Sequence, residues 1–598
     1  MRLPTTLVLP LLALACRSAP TTPPPAADPA TAVRALADQH FEQMLRLDPL
    51  MASEVGDHRY DDRLPDQLTE SGREAKRRAQ ADTRERLAQI PRAALSGEDA
   101  LTWDVLDEMT GTALEALRFS RHLMPVQQMS SIPVSLPLLG AGTGSQPFAT
   151  VADYERFLGR IAAFDHWVDT AIGNMRQGMA TGFTQPRPVM IRVLPQLDAQ
   201  LVTRAEDSAF WGPITRLPEG FGPAERTRLT AAYRNAILQS LVPSYRRLRD
   251  FVRDVYLPAC RTTTAVEALP DGRERYAFEV RRQTTTNLDA HAIHLLGLQE
   301  VSRIVGEIDA LRKQVGFQGT SSAFLKAMIE DPTGGARTEA ELVEAYQAIK
   351  ARVAPRLPIL FSRLPRSDFE IRPIEKFREN SAPSQYTPGT PDGSRPGIFY
   401  ANAASLKLHP SRPSESLFLH EALPGHHFQV ALANENAALP RVRRFADYNA
   451  YIEGWGLYAE RLGSQLGVYQ DDRQKAGQLR SELFRAARLV VDTGLHHEGW
   501  SRERAIDYMV DLTGNTKSAI ELEVDRYLAA PAQALGYKIG ELAIRRLRDQ
   551  AEHTLGPRFD ARAFHSAVLE SGAVPLDLLD RKLQAWIAER GAGPATTH

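Results

Sequence analysis

The sequence predicts a mainly α-helical protein with one small β-sheet directly before a candidate metal-binding helix. Two observations lead to this fold class. Apolar residues recur at three- and four-residue spacing in long stretches, and loops rich in proline and glycine separate those stretches. Short runs of β-forming residues occur in only one region, 363–414. The formal net charge of -1 gives no sign of a nucleic-acid partner.

The N-terminus is typical of an export signal. Residues 1–16 begin with one positive charge and continue with an apolar stretch too short to span a bilayer. The stretch ends in Ala-Leu-Ala-Cys, which resembles the lipobox of bacterial lipoproteins and makes Cys16 the candidate lipidation site. An ordinary signal peptide cut nearby, or an uncleaved leader, is the alternative. We therefore expect an exported protein, periplasmic or on the cell surface, that meets a membrane only through an N-terminal lipid anchor.

The rest of the chain divides into a tether and a folded body. Residues 17–30 are rich in proline, alanine and threonine, which predicts a disordered tether. No convincing linker interrupts residues 31–598, so we expect one large helical domain there. The periodic stretches predict helices over 32–47, 72–90, 150–179, 223–255, 289–315 and 338–357. Loops are expected at 133–144, 182–188, 218–222 and 258–272, strands at 369–371 and 397–401, and helices again from residue 414 to the end.

The segment His420-Glu421-Ala422-Leu423-Pro424-Gly425-His426-His427 carries the strongest chemical signal. Zinc peptidases commonly place two histidines four residues apart on one helix, with a glutamate between them as general base. Here the second histidine is six or seven residues after the first, which separates the two backbones by about 9–10 Å on a straight helix. Metal binding therefore requires a break in the helix at the Pro–Gly step.

Two forms of that break are possible from the sequence. A bulge that loops out Pro424 and Gly425 would make His426 the second ligand, and one residue more would make it His427. We favour His426. The alternative is a helix that ends at Leu423, followed by a second helix that starts with the two histidines and binds no metal.

A second segment, residues 445–460, supplies candidate carboxylates. Glu453 and Glu460 lie seven residues apart on one face of an aromatic-rich helix, and buried carboxylates need a partner. Gly454 and Gly456 would allow close approach of another backbone or of a ligand. We expect Glu453 to be the third metal ligand and Glu460 to orient a ligand histidine, with a surface salt bridge as the alternative for Glu460.

Two further helices provide candidates around the metal. Arg488, Asp492 and His496 follow at four-residue steps, so Asp492 could hold the ring of His496 and His496 could stabilise an oxyanion. A buried structural network is the alternative. In residues 521–540, periodicity alone makes Tyr527 and Tyr537 ordinary amphipathic-helix residues.

These segments together resemble the bacterial domain-of-unknown-function 885 family. The resemblance rests on the ordered runs HEALPGHHFQ, EGWGLYAERL, RAARLVVDTGLH, DRYLAAPAQALGYKIG and FHSAVLESGAVPLDLL within residues 397–586. It implies a gluzincin-like, mostly helical fold, and many members of the family look like lipoproteins. The matched positions are His420, Glu421, His426, His427, Glu453, Asp492, His496, Tyr527, Gln533 and Tyr537. One departure is Ala532, where the family usually has glycine.

We therefore expect a zinc-dependent metallopeptidase. Zinc would be held by His420, by His426 or His427, and by Glu453, and Glu421 would act as general base on the activated water. The expected oxyanion-stabilising and substrate-binding residues are His496, Tyr537, Tyr527, Arg526, Lys538 and Gln533, with Arg526 or Lys538 holding a terminal carboxylate. Strand 397–401 is expected to pair with an extended peptide. The alternatives are a metallohydrolase acting on non-peptide amides or esters, a non-haem iron site, and a non-enzymatic surface lipoprotein with a degenerate metal site.

Overall fold

A computed structural model of the protein describes residues 28–330, 333, 335–375, 383–407 and 412–592. The expected signal peptide with Cys16, and the expected tether up to residue 27, lie outside the described residues. Asp28 caps the first helix, which begins at Pro29. The folded body therefore starts slightly before residue 31, the expected boundary.

The described chain is 69% helical and 3% strand, which confirms the mainly helical class. The first fifteen helices are α1 Pro29–Leu47, α2 Pro49–Glu54, α3 Glu70–Ala88, α4 Gly97–Ala116, α5 Ile132–Gly140, α6 Val151–Thr181, α7 Arg187–Asp198, α8 Gly212–Thr215, α9 Pro223–Ala236, α10 Val242–Phe251, α11 Leu257–Ala259, α12 Gly272–Thr284, α13 Ala290–Gln314, α14 Ser321–Glu330 and α15 Glu339–Val353. After the sheet follow α16 Glu415–Glu421, α17 His426–Glu435, α18 Arg441–Arg444, α19 Asn449–Leu462, α20 Asp472–His496, α21 Arg502–Thr513, α22 Lys517–Ala529, α23 Leu535–Leu555, α24 Ala561–Leu569 and α25 Leu576–Ala592. Within the described ranges, no helix is both long and apolar enough to cross a bilayer.

Five of the six helices predicted from periodicity are present, with ends shifted by a few residues. The sixth, 223–255, is helical throughout, but π-helical segments at Ile237–Leu241 and Val252–Tyr256 divide it into α9 and α10. The loop predicted over 133–144 is wrong in its first part, because α5 occupies most of it. Its Pro133 lies in the first helical turn, where the backbone N–H has no intrahelical partner to lose. A proline that was interpreted as the mark of a loop therefore lies at the start of a helix.

The predicted small sheet is present and has three strands, β1 Phe369–Pro373, β2 Gln385–Thr387 and β3 Gly397–Ala401. Their spatial order is β1-β3-β2, with β1 parallel and β2 antiparallel to β3. All five residues of β3 are buried. The expectation that 397–401 pairs with a substrate is therefore wrong, because β3 is hydrogen-bonded on both sides and the sheet edges belong to β1 and β2.

Two large apolar cores share the long helices α13 and α20. One core joins these helices to α6, α7, α9 and α10, and to α21 and α22. The other joins them to the sheet and to α16, α17, α19 and α23–α25. Helices α19 and α23 approach so closely that a Cβ on Gly454 would lie 2.4 Å from the Cα of Gly540. Glycine at this position therefore allows the contact. The candidate metal-binding residues lie in this second core.

Candidate metal centre

The HEALPGHH segment folds as two short helices with a loop between them. Ser414 caps α16 through its hydroxyl, which accepts from the N–H of Leu417 at 3.2 Å. Helix α16 ends at Glu421, and α17 begins at His426. The indole N–H of Trp455 donates to the carbonyl of Pro424 at 2.8 Å and holds the loop. The break therefore spans four residues, Ala422–Gly425, and the two-residue bulge expected from the sequence is wrong in form.

The loop directs the side chain of His426 toward His420, while the side chain of His427 points to the sheet. The Nε2 atoms of His420 and His426 each lie 3.3 Å from Oε2 of Glu453. The possible ligand atoms of His420, Glu421 and His426 lie within 4.8 Å of one another. His427 instead packs its ring on Phe369 and has its Nδ1 3.0 Å from the Tyr386 hydroxyl. The structure thus brings His426, and not His427, to the candidate centre.

Helix α19 supplies both carboxylates that contact His420. Glu453 faces Nε2, and Oε1 of Glu460 lies 2.9 Å from Nδ1. The hydroxyl of Ser416 donates to the other oxygen of Glu460. Glu460 is only 1% exposed, so the alternative of a surface salt bridge does not apply to it. The two contacts orient the His420 ring, with Nδ1 toward Glu460 and Nε2 toward Glu453.

A glycine makes room for the His420 ring. A Cβ on Gly456 would lie 2.8–3.0 Å from three atoms of that imidazole. Any other residue at this position would push the ring off α19. The close approach predicted for both glycines is therefore confirmed. Gly454 lies against the backbone of Gly540, and Gly456 lies against the ring of His420.

The histidines and glutamates of this cluster shift one another's pKa values. Burial alone would lower the pKa of His420, but hydrogen bonds to Glu453 and Glu460 raise it to about 10. Burial likewise opposes ionisation of Glu453, yet the hydrogen bonds from His420 and His426 hold its pKa well below the usual value. In the part of the chain that the structure describes, the buried Nδ1 of His426 has no hydrogen-bond partner. His420 is thus oriented by a carboxylate, whereas His426 is positioned by the loop and by Glu453.

Glu421 lies beside the two histidines and contacts the sheet. Its Oε2 accepts the backbone N–H of Tyr386 at 2.8 Å, and burial raises the pKa of its carboxyl. Tyr386 belongs to β2, an edge strand, and its hydroxyl also contacts His427. Tyr386 could not be selected from the sequence, because the run between Pro383 and Pro388 is only four residues long.

Tyr537 is the one candidate from residues 521–540 whose ring lies directly against the centre. Its ring stacks on that of His420 with centroids 6.0 Å apart. Its hydroxyl accepts from Arg526 at 3.2 Å. Arg526 also donates to Gln533, whose amide N–H donates to Asn449 at 3.0 Å. Arg526 and Gln533 therefore support Tyr537 from behind and are already hydrogen-bonded to protein groups.

His496, Asp492 and Tyr527 are not brought to the centre. The ring nitrogens of His496 contact the backbone N–H of Val266 and the carbonyl of Tyr527. Asp492 accepts from the Tyr276 hydroxyl and from the backbone N–H of Ala532, and so does not hold the His496 ring. Burial raises the pKa of Asp492 to about 7. The contacts of this group match the structural alternative, since the spacing put the residues on one face without determining their partners.

Lys538 is also committed elsewhere. Its side chain is fully buried and forms ion pairs of 2.8–3.0 Å with Glu300, Glu482 and Glu541. The expectation that Lys538 holds a substrate carboxylate is wrong, because three protein carboxylates already surround its ammonium group. Those partners come mainly from α13 and α20, far away in sequence.

The fold and the site define a class: a mainly helical protein with two histidines and three glutamates gathered at one buried point. Comparison gives the family. The family described as bacterial protein of unknown function, DUF885, matches residues 49–583, and the chain belongs to it. No curated protein matches the chain.

Two solved structures share this fold. A "putative lipoprotein from Colwellia psychrerythraea" is 27% identical, with a TM-score of 0.86 over 94% of this chain and 100% of that one. A "putative lipoprotein of unknown function from Shewanella oneidensis" is 15% identical, with a TM-score of 0.71 over 92% of this chain and 99% of that one. The second likeness concerns the fold alone.

Proposed function

We propose that this protein is a gluzincin-like zinc hydrolase that cleaves peptide bonds. One observation carries the proposal: a single oxygen of Glu453 lies 3.3 Å from Nε2 of both His420 and His426. Ligand atoms about 2.0–2.1 Å from a tetrahedral zinc are about 3.3–3.4 Å apart, which agrees with this spacing. Charge-assisted hydrogen bonds are shorter, about 2.7–2.9 Å.

The donor set also fits zinc chemically. Two imidazoles and one carboxylate are a common catalytic zinc set, and Glu460 and Ser416 orient His420 from behind. The same set suits non-haem iron, but a buried glutamate next to the first histidine favours hydrolysis. A bound zinc would supply Lewis-acid polarisation of a carbonyl and a lower pKa for water.

Glu421 is the proposed general base. The N–H of Tyr386 holds one of its oxygens, which leaves the other to take a proton from the attacking water. Burial raises the pKa of this carboxyl, as suits a base that must later give the proton to a leaving amine. Tyr537, held by Arg526, is placed to donate its hydroxyl proton to developing negative charge on the substrate.

The location of β2 supports a peptide as substrate. β2 is an edge strand, and its Tyr386 N–H points at Glu421. An extended peptide laid along an edge strand gains backbone hydrogen bonds without regard to its side chains. The Tyr386 N–H is already donated to Glu421, so a peptide beside β2 would lie next to the proposed base without pairing to that group.

The proposal is tested by comparing hydrolysis by the original protein with hydrolysis by the Glu421→Gln variant. We expect purified protein to cleave peptides from a mixed panel of peptides, amides and esters. The variant should keep its zinc and lose at least about 100-fold in kcat, because only the base is removed. Tyr386→Phe is the matched control, since it leaves the backbone N–H in place. Turnover of esters alone would favour a non-peptide hydrolase, and a metal-bearing protein with no hydrolysis at all would favour a non-enzymatic lipoprotein.

The proposal includes location. The lipobox-like end of the leader at Cys16 and the description of the Colwellia protein together support an exported, lipid-anchored protein. Labelling with a fatty acid should be lost in Cys16→Ala, and labelling that persists in that variant would exclude Cys16 as the site.

A further inference from the structure

A second charged site lies next to the candidate centre. A cavity of about 740 Å³ opens between α14, α15, the start of α16 and α20. Its wall includes Ser416, which hydrogen-bonds Glu460, and Arg485, whose guanidinium lies 5.8 Å from the ring of Tyr537. Since Tyr537 stacks on His420, only that ring separates Arg485 from a proposed zinc ligand.

The charge lining this cavity is strongly positive. Five arginines line it, and the described part of its wall contains one acidic residue, Glu415. The arginines are Arg352, Arg412, Arg473, Arg480 and Arg485. Three of them have partners: Arg352 contacts Glu415 at 3.4 Å, Arg412 donates to the carbonyl of Thr333, and Arg473 is also engaged.

Arg480 and Arg485 are weakly compensated. In the described ranges, Arg480 makes one long contact, 3.4 Å to the amide oxygen of Asn515, and forms no ion pair with a carboxylate. Arg485 forms no ion pair with a described carboxylate either, although its charge acts at longer range on Glu460 and Glu523. The Nε of Arg485 is buried and has no hydrogen-bond partner among the described residues. Burial and the nearby charge of Arg485 lower the pKa of Arg480 to about 10. Two guanidinium groups thus share one cavity, and neither is in ion-pair contact with a described carboxylate.

We propose that Arg480 and Arg485 bind a carboxylate group of the peptide substrate, its free C-terminus or an acidic side chain. Weakly compensated buried charge is costly, and an oxyanion supplies the missing acceptors. Arginine forks match the planar carboxylate better than any other side chain. The role expected for Lys538 thereby moves to two residues of α20. The identification of the ligand as a peptide rests on the proposed function, whereas the anion site itself does not.

Binding to metal-free protein tests the site without relying on hydrolysis. The probes are N-acetyl-dialanine with a free carboxylate, the same peptide with a C-terminal amide, and inorganic phosphate, each titrated by calorimetry. We expect the free acid to bind at least about tenfold more tightly than the amide, as loss of a charged hydrogen bond implies. Arg485→Gln and Arg480→Gln should each remove that preference, Arg485→Lys should restore part of it, and Arg546→Gln should leave it intact. Arg546 is an exposed control outside the cavity, paired with Asp580.

Three results would overturn the proposal. They are equal affinity for acid and amide, an acid preference that survives in both glutamine variants with normal thermal unfolding, and phosphate binding tighter than the peptide acid. Failure of the proposed function looks different. In that case the metal-free protein would keep its acid preference, while zinc-loaded protein would hydrolyse no peptide.

Discussion

At the scale of single residues, Ala532 is one of two described non-glycine residues with a positive φ, the other being Thr285. Its φ is +66°, and its N–H donates to both carboxylate oxygens of Asp492 at 3.0 and 3.1 Å. A left-handed conformation costs a residue with a Cβ about 1–2 kcal/mol. The position is also the one where the resemblance led us to expect glycine.

Ala532→Gly should therefore stabilise the protein. We expect the free energy of unfolding in urea to rise by about 0.5–1 kcal/mol, because the relief of strain exceeds the greater entropy of glycine in the unfolded chain. Ala534→Gly is the matched control. Its φ is −65°, so the same change there should lower stability by about 0.5–1 kcal/mol. An equal loss at both positions would contradict the account.

Residue-scale prediction from sequence succeeded where spacing within one helix sufficed. Glu453 and Glu460 share a face of α19, and both reach His420. It failed where a partner came from elsewhere in the chain. Spacing alone could not show that His427 would hydrogen-bond with the hydroxyl of Tyr386, or that His496 would accept the backbone N–H of Val266.

At the scale of elements, two glycines of α19 face different neighbours. Gly456 borders the His420 imidazole, and Gly454 borders the Gly540 backbone. Gly456→Ala should weaken zinc affinity at least about tenfold with a small effect on stability, because the ring must shift away from Glu453 and Glu460. Gly454→Ala should lower stability by about 1–3 kcal/mol, because it overpacks α19 against α23.

Chelator competition and urea unfolding measure the two effects separately. The glycines are only two residues apart, so each variant is the control for the other. The explanation fails if both variants lose stability equally while zinc affinity stays unchanged in Gly456→Ala.

Elements were predictable from sequence where their pattern was long. Periodicity located α6 and α13 because an amphipathic stripe is repeated over many turns. Short elements were harder: α5 was hidden by its prolines, and β2 has only three residues. The sheet order depends on contacts between strands, so the central position of β3 could not be inferred from its own composition.

At the scale of the whole molecule, burial of neutral histidines makes stability depend on pH. Burial lowers the pKa of His40, His496 and His565 to about 4, against an ordinary value of 6.5. Between these values the unfolded chain binds protons that the folded protein does not. The stabilisation is complete above pH 6.5 and is lost as the pH falls toward 4.

Urea unfolding of metal-free protein from pH 8 to 4.5 checks this dependence. We expect stability to fall below about pH 6.5, where each buried neutral histidine contributes a slope of about 1.4 kcal/mol per pH unit. Asp492, whose pKa is raised to about 7, takes up a proton in the folded protein over the same range and offsets about one histidine's share. His565→Gln should reduce that slope by about one histidine's share, whatever its effect on stability at pH 8. A constant free energy of unfolding between pH 7 and 5 would contradict the prediction.

The division into two cores sharing α13 and α20 was not visible in the sequence, because no linker marks it. The proposed metal ligands all lie in the second core, on three helices that follow the sheet. The central claim is that their geometry holds one zinc through His420, His426 and Glu453.

Zinc content of purified protein tests that claim most directly, with His426→Ala and His427→Ala as a matched pair. The account predicts about one zinc per chain in the original protein and in His427→Ala. It predicts nearly complete loss in His426→Ala and in Glu453→Gln, with folding retained by circular dichroism. Loss of zinc in His427→Ala but not in His426→Ala, or a folded original protein that takes up no zinc, would contradict the account.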